Sequence, residues 1–140
     1  MSKRRVRINL FRFPARLCRI IKKTAAKTVD SEKAGISGAV NVILVPDKTI
    51  KKLNMRFRSV KRVTDVISFS YGLGGFEGDI FIAEGRSKRQ AAEFGHGWKE
   101  ELVYLTIHGV LHLLKYSDYT ALNRKKMFSR QDRIFKCLMQ

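Results

Sequence analysis

The stretch from residue 98 to about residue 114 is the feature that most restricts how this chain can fold. It is predicted to form one long helix, because large apolar residues recur along it at helical spacing. Five of them are available for burial: Leu102, Leu105, Ile107, Leu111 and Leu114. A helix with this much apolar surface needs a hydrophobic partner, and a sheet is the partner that the rest of the sequence offers.

Four segments have the alternation or the β-branched content of strands, at residues 6–13, 39–45, 63–69 and 79–83. Amphipathic helices are predicted at residues 15–28, from residue 47 onward, at residues 87–94 before Gly95, and at residues 122–138. The Gly-rich connection at residues 71–75 suggests that the third and fourth strands form a hairpin. The pattern predicts an α+β fold, with residues 1–140 forming one domain in which about five helices cover a small mixed sheet of about four strands.

Composition narrows the function more than the fold. The 140 residues include 29 Lys and Arg against 12 Asp and Glu, which gives a formal net charge of +17. Such a field favours polyanions, and nucleic acid is preferred over a membrane surface because the basic residues are spread over several segments. A generically basic proteome is the alternative reading of this charge. No secretory signal or membrane span is predicted, and the two cysteines, Cys18 and Cys137, fit free thiols in a cytoplasmic protein.

His108 and His112 lie four residues apart on the long helix. This spacing stacks the two imidazoles on one helix face, within reach of a single metal ion. By itself the pair is also compatible with one core histidine and one surface histidine. His96 is expected to be a capping or surface residue, and Phe94 and Trp98 are expected to belong to the core.

The residues after the pair supply a candidate third ligand. Asp118 follows His112 by six residues, beyond the expected helix end, where a turning chain can return to the ion. This spacing is similar to that of helical zinc endopeptidases, but Gly109 replaces their catalytic glutamate, which disfavours peptidase chemistry. Gly109 is expected to leave space beside the first ligand.

Three ordered blocks resemble the YbeY family of bacterial endoribonucleases. The family pattern H-G-x-L-H-L-x-G-Y-D-H is matched over residues 108–116, its block around T-D-V-[LI]-S-F over residues 53–69, and its G-D-I strand over residues 78–80. The resemblance implies a zinc site, with one ion per chain, formed by His108, His112 and the residue at the third motif position, here Asp118. An aspartate there admits other divalent metals more readily than a third histidine does, and it leaves open that the site is lost.

Two further departures lie at the end of the motif, where the family glycine and aspartate are replaced by Lys115 and Ser117. The glycine is expected to take a left-handed conformation that ends the helix, at a cost of about 1 kcal/mol for any other residue. Either Lys115 accepts that conformation or the turn is built differently in this chain.

The resemblance also implies an activity and its residues. It implies a single-strand-specific, metal-dependent endoribonuclease that acts in ribosomal RNA maturation, including processing of the small-subunit 3′ end, and in ribosome quality control. RNA, the ribosome or ribosomal proteins would be its partners. His108, His112 and Arg58 would be catalytic, and Arg58, Lys61 and Arg62 would bind substrate; Arg58 could instead form a structural ion pair with Asp65. The alternative function is a non-catalytic RNA-binding protein whose metal site has decayed.

Overall fold

A computed structural model of the chain describes residues 6–33, 36–58, 64–71, 76–116 and 119–140, without the side chains of Lys33 and Arg58. In chain order its elements are β1 (Val6–Phe11), α1 (Ala15–Lys33), β2 (Gly38–Val45), α2 (Asp47–Arg58), β3 (Val66–Tyr71), β4 (Phe76–Ala83), α3 (Glu84–Phe94), α4 (Trp98–Leu113) and α5 (Ala121–Met139). The predicted α+β class is confirmed, with a four-stranded sheet and five helices in the described residues. The predicted first helix was too short, since α1 continues to Lys33.

The sheet has the strand order β1-β2-β4-β3 and is mixed, as predicted. The first three strands in that order run parallel, and β3 runs antiparallel to β4. The predicted hairpin is therefore confirmed, with Phe69 opposite Asp79 in its register. Parallel neighbours need crossover connections, and α1 provides the one from β1 to β2.

Helices cover both faces of the sheet. On one face, α1 and α4 pack on the main core, which includes Val40, Val42 and Ile80. On the other face, α2 packs on a smaller cluster around Ile50 and Ile67. The outer surface of α1 carries exposed basic residues, as its amphipathic pattern predicted: Arg16, Arg19, Lys22, Lys23 and Lys27.

Gly109 brings α4 unusually close to the sheet. A β-carbon built at Gly109 would lie 2.6 Å from the Ile80 side chain, so only glycine permits this approach. The Ser68 hydroxyl donates a hydrogen bond of 3.0 Å to the Gly109 carbonyl at the same crossing point. Gly109 was expected to leave space beside the first ligand, His108, but the space at Gly109 is filled by Ile80 of the sheet.

None of the helices that the structure describes is both long and apolar enough to cross a membrane.

Candidate metal centre

Helix α4 is buried on nearly every side, and its few partly exposed positions form one stripe. Between Glu101 and Leu113, only Tyr104, His108 and His112 are partly exposed. Their spacing of four residues places them one above another on a single face. Since the apolar residues of the same helix are held in the core, the two imidazoles are fixed on the side that remains accessible.

The two imidazoles converge through their Nε2 atoms, which are 3.0 Å apart. The ring centroids are separated by 4.6 Å, with an interplanar angle of 75°. Two nitrogens bound to one tetrahedral zinc ion lie about 3.3 Å apart, given Zn–N bonds of about 2.0–2.1 Å. The predicted pair is therefore brought together by the fold, with a spacing close to that of two ligands on one ion.

Gln131 on α5 fixes which nitrogen of His108 can bind a metal. Its Nε2 donates to the Tyr104 carbonyl at 3.2 Å, so its Oε1 is the atom that faces His108 Nδ1 at 3.1 Å. Because an amide oxygen can only accept, the contact assigns a proton to Nδ1 of His108 and leaves Nε2 as the ring nitrogen that faces His112. Metal-binding histidines are oriented by this kind of outer hydrogen bond. Gln131 is 1% exposed, so water does not compete for this contact.

The turn after α4 precedes the predicted third ligand in the sequence. The backbone N–H of Tyr116 donates to the Leu111 carbonyl and that of Lys115 to the His112 carbonyl, both at 3.0 Å. These two bonds form a Schellman motif, and Lys115 adopts the left-handed conformation in it, with φ 75°. Lys115 thus accepts the conformation expected of the family glycine. Asp118 lies outside the described residues, within which no group of three or more His, Cys, Asp or Glu could hold a metal ion.

The predicted substrate-binding residues lie at the end of α2 and in the segment that follows it in the sequence. Arg58 is the last residue of α2, but its side chain lies outside the description. Lys61 and Arg62 lie outside it as well. Their roles therefore stay predictions.

Side chains around Asp79 and Tyr116 have structural partners. Asp79 accepts hydrogen bonds from Tyr71 at 2.8 Å and from Asn41 at 2.9 Å, across three neighbouring strands. The hydrogen bond to Asp79 raises the pKa of the Tyr71 hydroxyl.

Tyr116 donates at 2.5 Å to Glu32 on α1, which also pairs with Arg130 on α5. That guanidinium holds the pKa of the Glu32 carboxyl below its usual value.

A cavity of about 600 Å³ lies against His108, between α3, α4 and α5. Gln90 lines the cavity, and its amide nitrogen donates at 3.1 Å both to Asp65 and to the buried Glu101. His96 is exposed, which confirms the prediction of a capping or surface residue, and its Nε2 lies 2.6 Å from Glu101 Oε1. Sequence reasoning missed Gln90, Glu101 and Gln131, because each acts through partners on another helix or loop and none belongs to a recognised motif.

The fold and the histidine pair define the class, an α+β protein with two converging imidazoles on a buried helix. A family model described as "Endoribonuclease YbeY" matches residues 5–139. Proteins of that name from Endomicrobium trichonymphae and Desulforamulus reducens are 50% and 33% identical, covering 94% and 87% of this chain and 92% and 86% of their own. The solution structure of TM1509 from Thermotoga maritima superposes with a TM-score of 0.66 at 31% identity, covering 95% of this chain and 88% of its own.

The chain belongs to the endoribonuclease YbeY family. The resemblance inferred from its three sequence blocks is thereby confirmed.

Proposed function

We propose that this protein is a metal-dependent endoribonuclease that acts on ribosomal RNA in the cytoplasm, with His108, His112 and Asp118 as the ligands of one divalent ion. As a member of its family it is a hydrolase that cleaves RNA, with a role in ribosomal RNA processing. The observation that carries the metal proposal is the 3.0 Å approach of the two Nε2 atoms, with the His108 ring oriented by Gln131 through its other nitrogen.

The chemistry of the pair fits a metal centre. Two neutral imidazole nitrogens at this separation need a shared proton or a shared cation between them, since their lone pairs otherwise repel. Zinc accepts nitrogen and carboxylate ligands together, so Asp118 would complete a three-ligand set. A divalent ion held there would act as a Lewis acid toward the phosphodiester and toward water.

The residues of this chain orient the two imidazoles and attract RNA. Burial of α4 keeps both imidazoles on one helix face, and the contact with Gln131 orients the His108 ring. Arg58, Lys61 and Arg62 are proposed to bind the phosphate backbone, because guanidinium groups offer paired donors to phosphate oxygens. The +17 charge draws RNA to the surface, so binding is expected to weaken steeply as salt is added.

The test combines metal analysis with RNA cleavage. The purified protein is expected to contain one equivalent of metal, and His112→Ala and Asp118→Ala are expected to lose both metal and cleavage of single-stranded ribosomal RNA fragments. Lys99→Ala, an exposed residue at the start of the same helix, is the matched control and should retain both.

Each failure has a separate meaning. Metal content that survives Asp118→Ala unchanged would remove Asp118 from the ligand set. A metal-loaded protein that binds RNA but leaves it uncleaved would contradict the enzymatic proposal and support the RNA-binding alternative. RNA affinity that is unchanged between low and high salt would contradict the electrostatic part.

A further inference from the structure

The cavity beside His108 has a charge opposite to that of the rest of the protein. Its lining includes three carboxylates, those of Asp65, Glu101 and Asp132, whereas none of its described lining residues is a lysine or an arginine. On a chain with a net charge of +17, an acidic recess next to the metal ligands is unexpected. A phosphate group would be repelled there, so the cavity is unsuited to the backbone of an RNA strand.

The walls of the cavity are aromatic. Phe94 and Phe128 line it and are 68% and 40% exposed, although rings of this size are normally buried. Phe128 also lies 29° from parallel to the His108 ring, with the centroids 6.4 Å apart. Exposed aromatic rings beside a nucleic-acid site are the surfaces on which unpaired bases stack.

The carboxylates of the cavity lining are hydrogen-bond acceptors. Asp132 accepts from the Tyr104 hydroxyl at 3.3 Å, and burial, together with this carboxylate, raises the pKa of Tyr104 to about 12, so the hydroxyl stays protonated. The Gln90 amide nitrogen donates to Asp65 and to Glu101, while its amide oxygen accepts from Arg86. Carboxylate oxygens that keep unused lone pairs favour a ligand with N–H donors, such as the exocyclic amino group of a base.

We propose that this cavity is a subsite for one unstacked nucleobase of the RNA substrate, and that it favours bases with an exocyclic amino group over uracil. The inference rests on the proposed endoribonuclease function. The cavity volume, about 600 Å³, is within the range of small-molecule sites and leaves room for a base with its ribose. A base inside the cavity would hold the adjacent phosphodiester near His108, and only an unpaired strand can supply such a base.

The experiment is an abasic scan of a single-stranded RNA that the metal-loaded enzyme cleaves at one site. A ribose without a base is placed at each position around the scissile phosphate in turn, and kcat/KM is measured for each RNA. One position next to the cleavage site is expected to lower kcat/KM about 10-fold, in line with the loss of one base–aromatic stack. At that position uridine is expected to be cleaved several-fold more slowly than adenosine or cytidine.

Phe94→Leu connects the effect to the cavity. Phe94 is largely exposed at the end of α3, so its replacement should leave the fold intact, and the abasic penalty should shrink to within about 2-fold. Phe128→Leu is the second variant, with metal content measured in parallel because this ring faces His108. Phe11→Leu removes an exposed ring from β1, outside the cavity lining, and should keep the full penalty.

The outcomes separate the two proposals. Cleavage of the intact RNA with an equal rate at every abasic position would overturn the subsite while leaving the endoribonuclease function in place. A uridine preference at the sensitive position would overturn the assigned base selectivity. Absence of cleavage of the intact RNA by the metal-loaded enzyme would overturn the proposed function and the subsite with it.

Discussion

Helices α3 and α4 end in the same backbone motif but use different residues to build it. Each end has a left-handed residue followed by a residue whose ring contacts a glutamate. For α3 these are Gly95 and His96, with Glu101, and for α4 they are Lys115 and Tyr116, with Glu32. The φ angles are nearly equal, 73° at Gly95 and 75° at Lys115. One end uses the residue that adopts this conformation without cost, and the other does not.

The difference shows where each turn is specified. The α3 turn is encoded locally, since glycine needs no further support. The α4 turn is held by tertiary contacts: Lys115 Nζ donates to Ser70 at 3.1 Å, and Tyr116 is tied to Glu32 at 2.5 Å. We infer that these contacts offset the strain at Lys115.

The largest effect is expected for Gln131, the residue that orients a metal ligand on α4. Gln131→Leu removes the acceptor for His108 Nδ1 and is expected to lower metal affinity about 10- to 100-fold. Gln90→Leu, the corresponding buried amide on α3, should leave metal affinity unchanged because Gln90 contacts neither histidine. Competition with a chelating dye measures both, and equal losses in the two variants would contradict a specific role for Gln131.

The contacts that Glu32 makes with Tyr116 and Arg130 should contribute pH-dependent stability. The pKa of Glu32 is lowered in the folded protein, chiefly by its hydrogen bond to Arg130, so its contribution is complete above the unfolded pKa of about 4.5. Glu32→Gln is expected to lower the free energy of unfolding by about 2 kcal/mol at pH 7. The deficit should shrink as the pH falls below about 4.5, through the pKa of the folded state.

Urea unfolding at several pH values measures this dependence. Glu84→Gln, in the exposed Glu84–Lys88 pair on α3, is the matched control and should cost less than about 0.5 kcal/mol. A Glu32→Gln deficit that stays constant from pH 7 to pH 3 would show that its charge is not the source.

Replacing Gly95 tests whether this glycine by itself specifies the turn at the end of α3. Gly95→Ala should destabilise the protein by about 1 kcal/mol, since a β-carbon there meets no atom within 4 Å and only the backbone conformation is strained. Thermal or urea unfolding gives the value. No loss of stability would mean that alanine adopts the left-handed conformation at position 95 without cost.

The reciprocal change should have the smallest effect. Lys115→Gly relieves the strained conformation but removes the Ser70 contact and adds backbone freedom to the unfolded chain, so stability should change by less than about 0.5 kcal/mol. Unfolding under the same conditions as for Gly95→Ala makes the pair comparable. A gain above about 1 kcal/mol would show that the tertiary contacts do not offset the strain at Lys115.

Much of the fold and the convergence of the two histidines could be predicted from local sequence patterns. Residue spacing alone placed His108 and His112 on one helix face, and it ended α3 at Gly95. Phe94 was predicted to be in the core but is exposed, because periodicity shows which residues share a face and not whether another element covers it. His96 was predicted to be a cap or a surface residue and is exposed, but its partner Glu101 is apparent only once the link between α3 and α4 has folded back.

The sequence by itself determined the class of elements, their order, the family and the histidine pair, because all of these depend on short-range spacing and recognisable blocks. Only the tertiary structure decided the tautomer of His108, the acidic aromatic cavity and the left-handed turn at Lys115. These features depend on side chains far apart in the sequence, such as Glu32 and Tyr116, which become neighbours only when α1, α4 and α5 pack together.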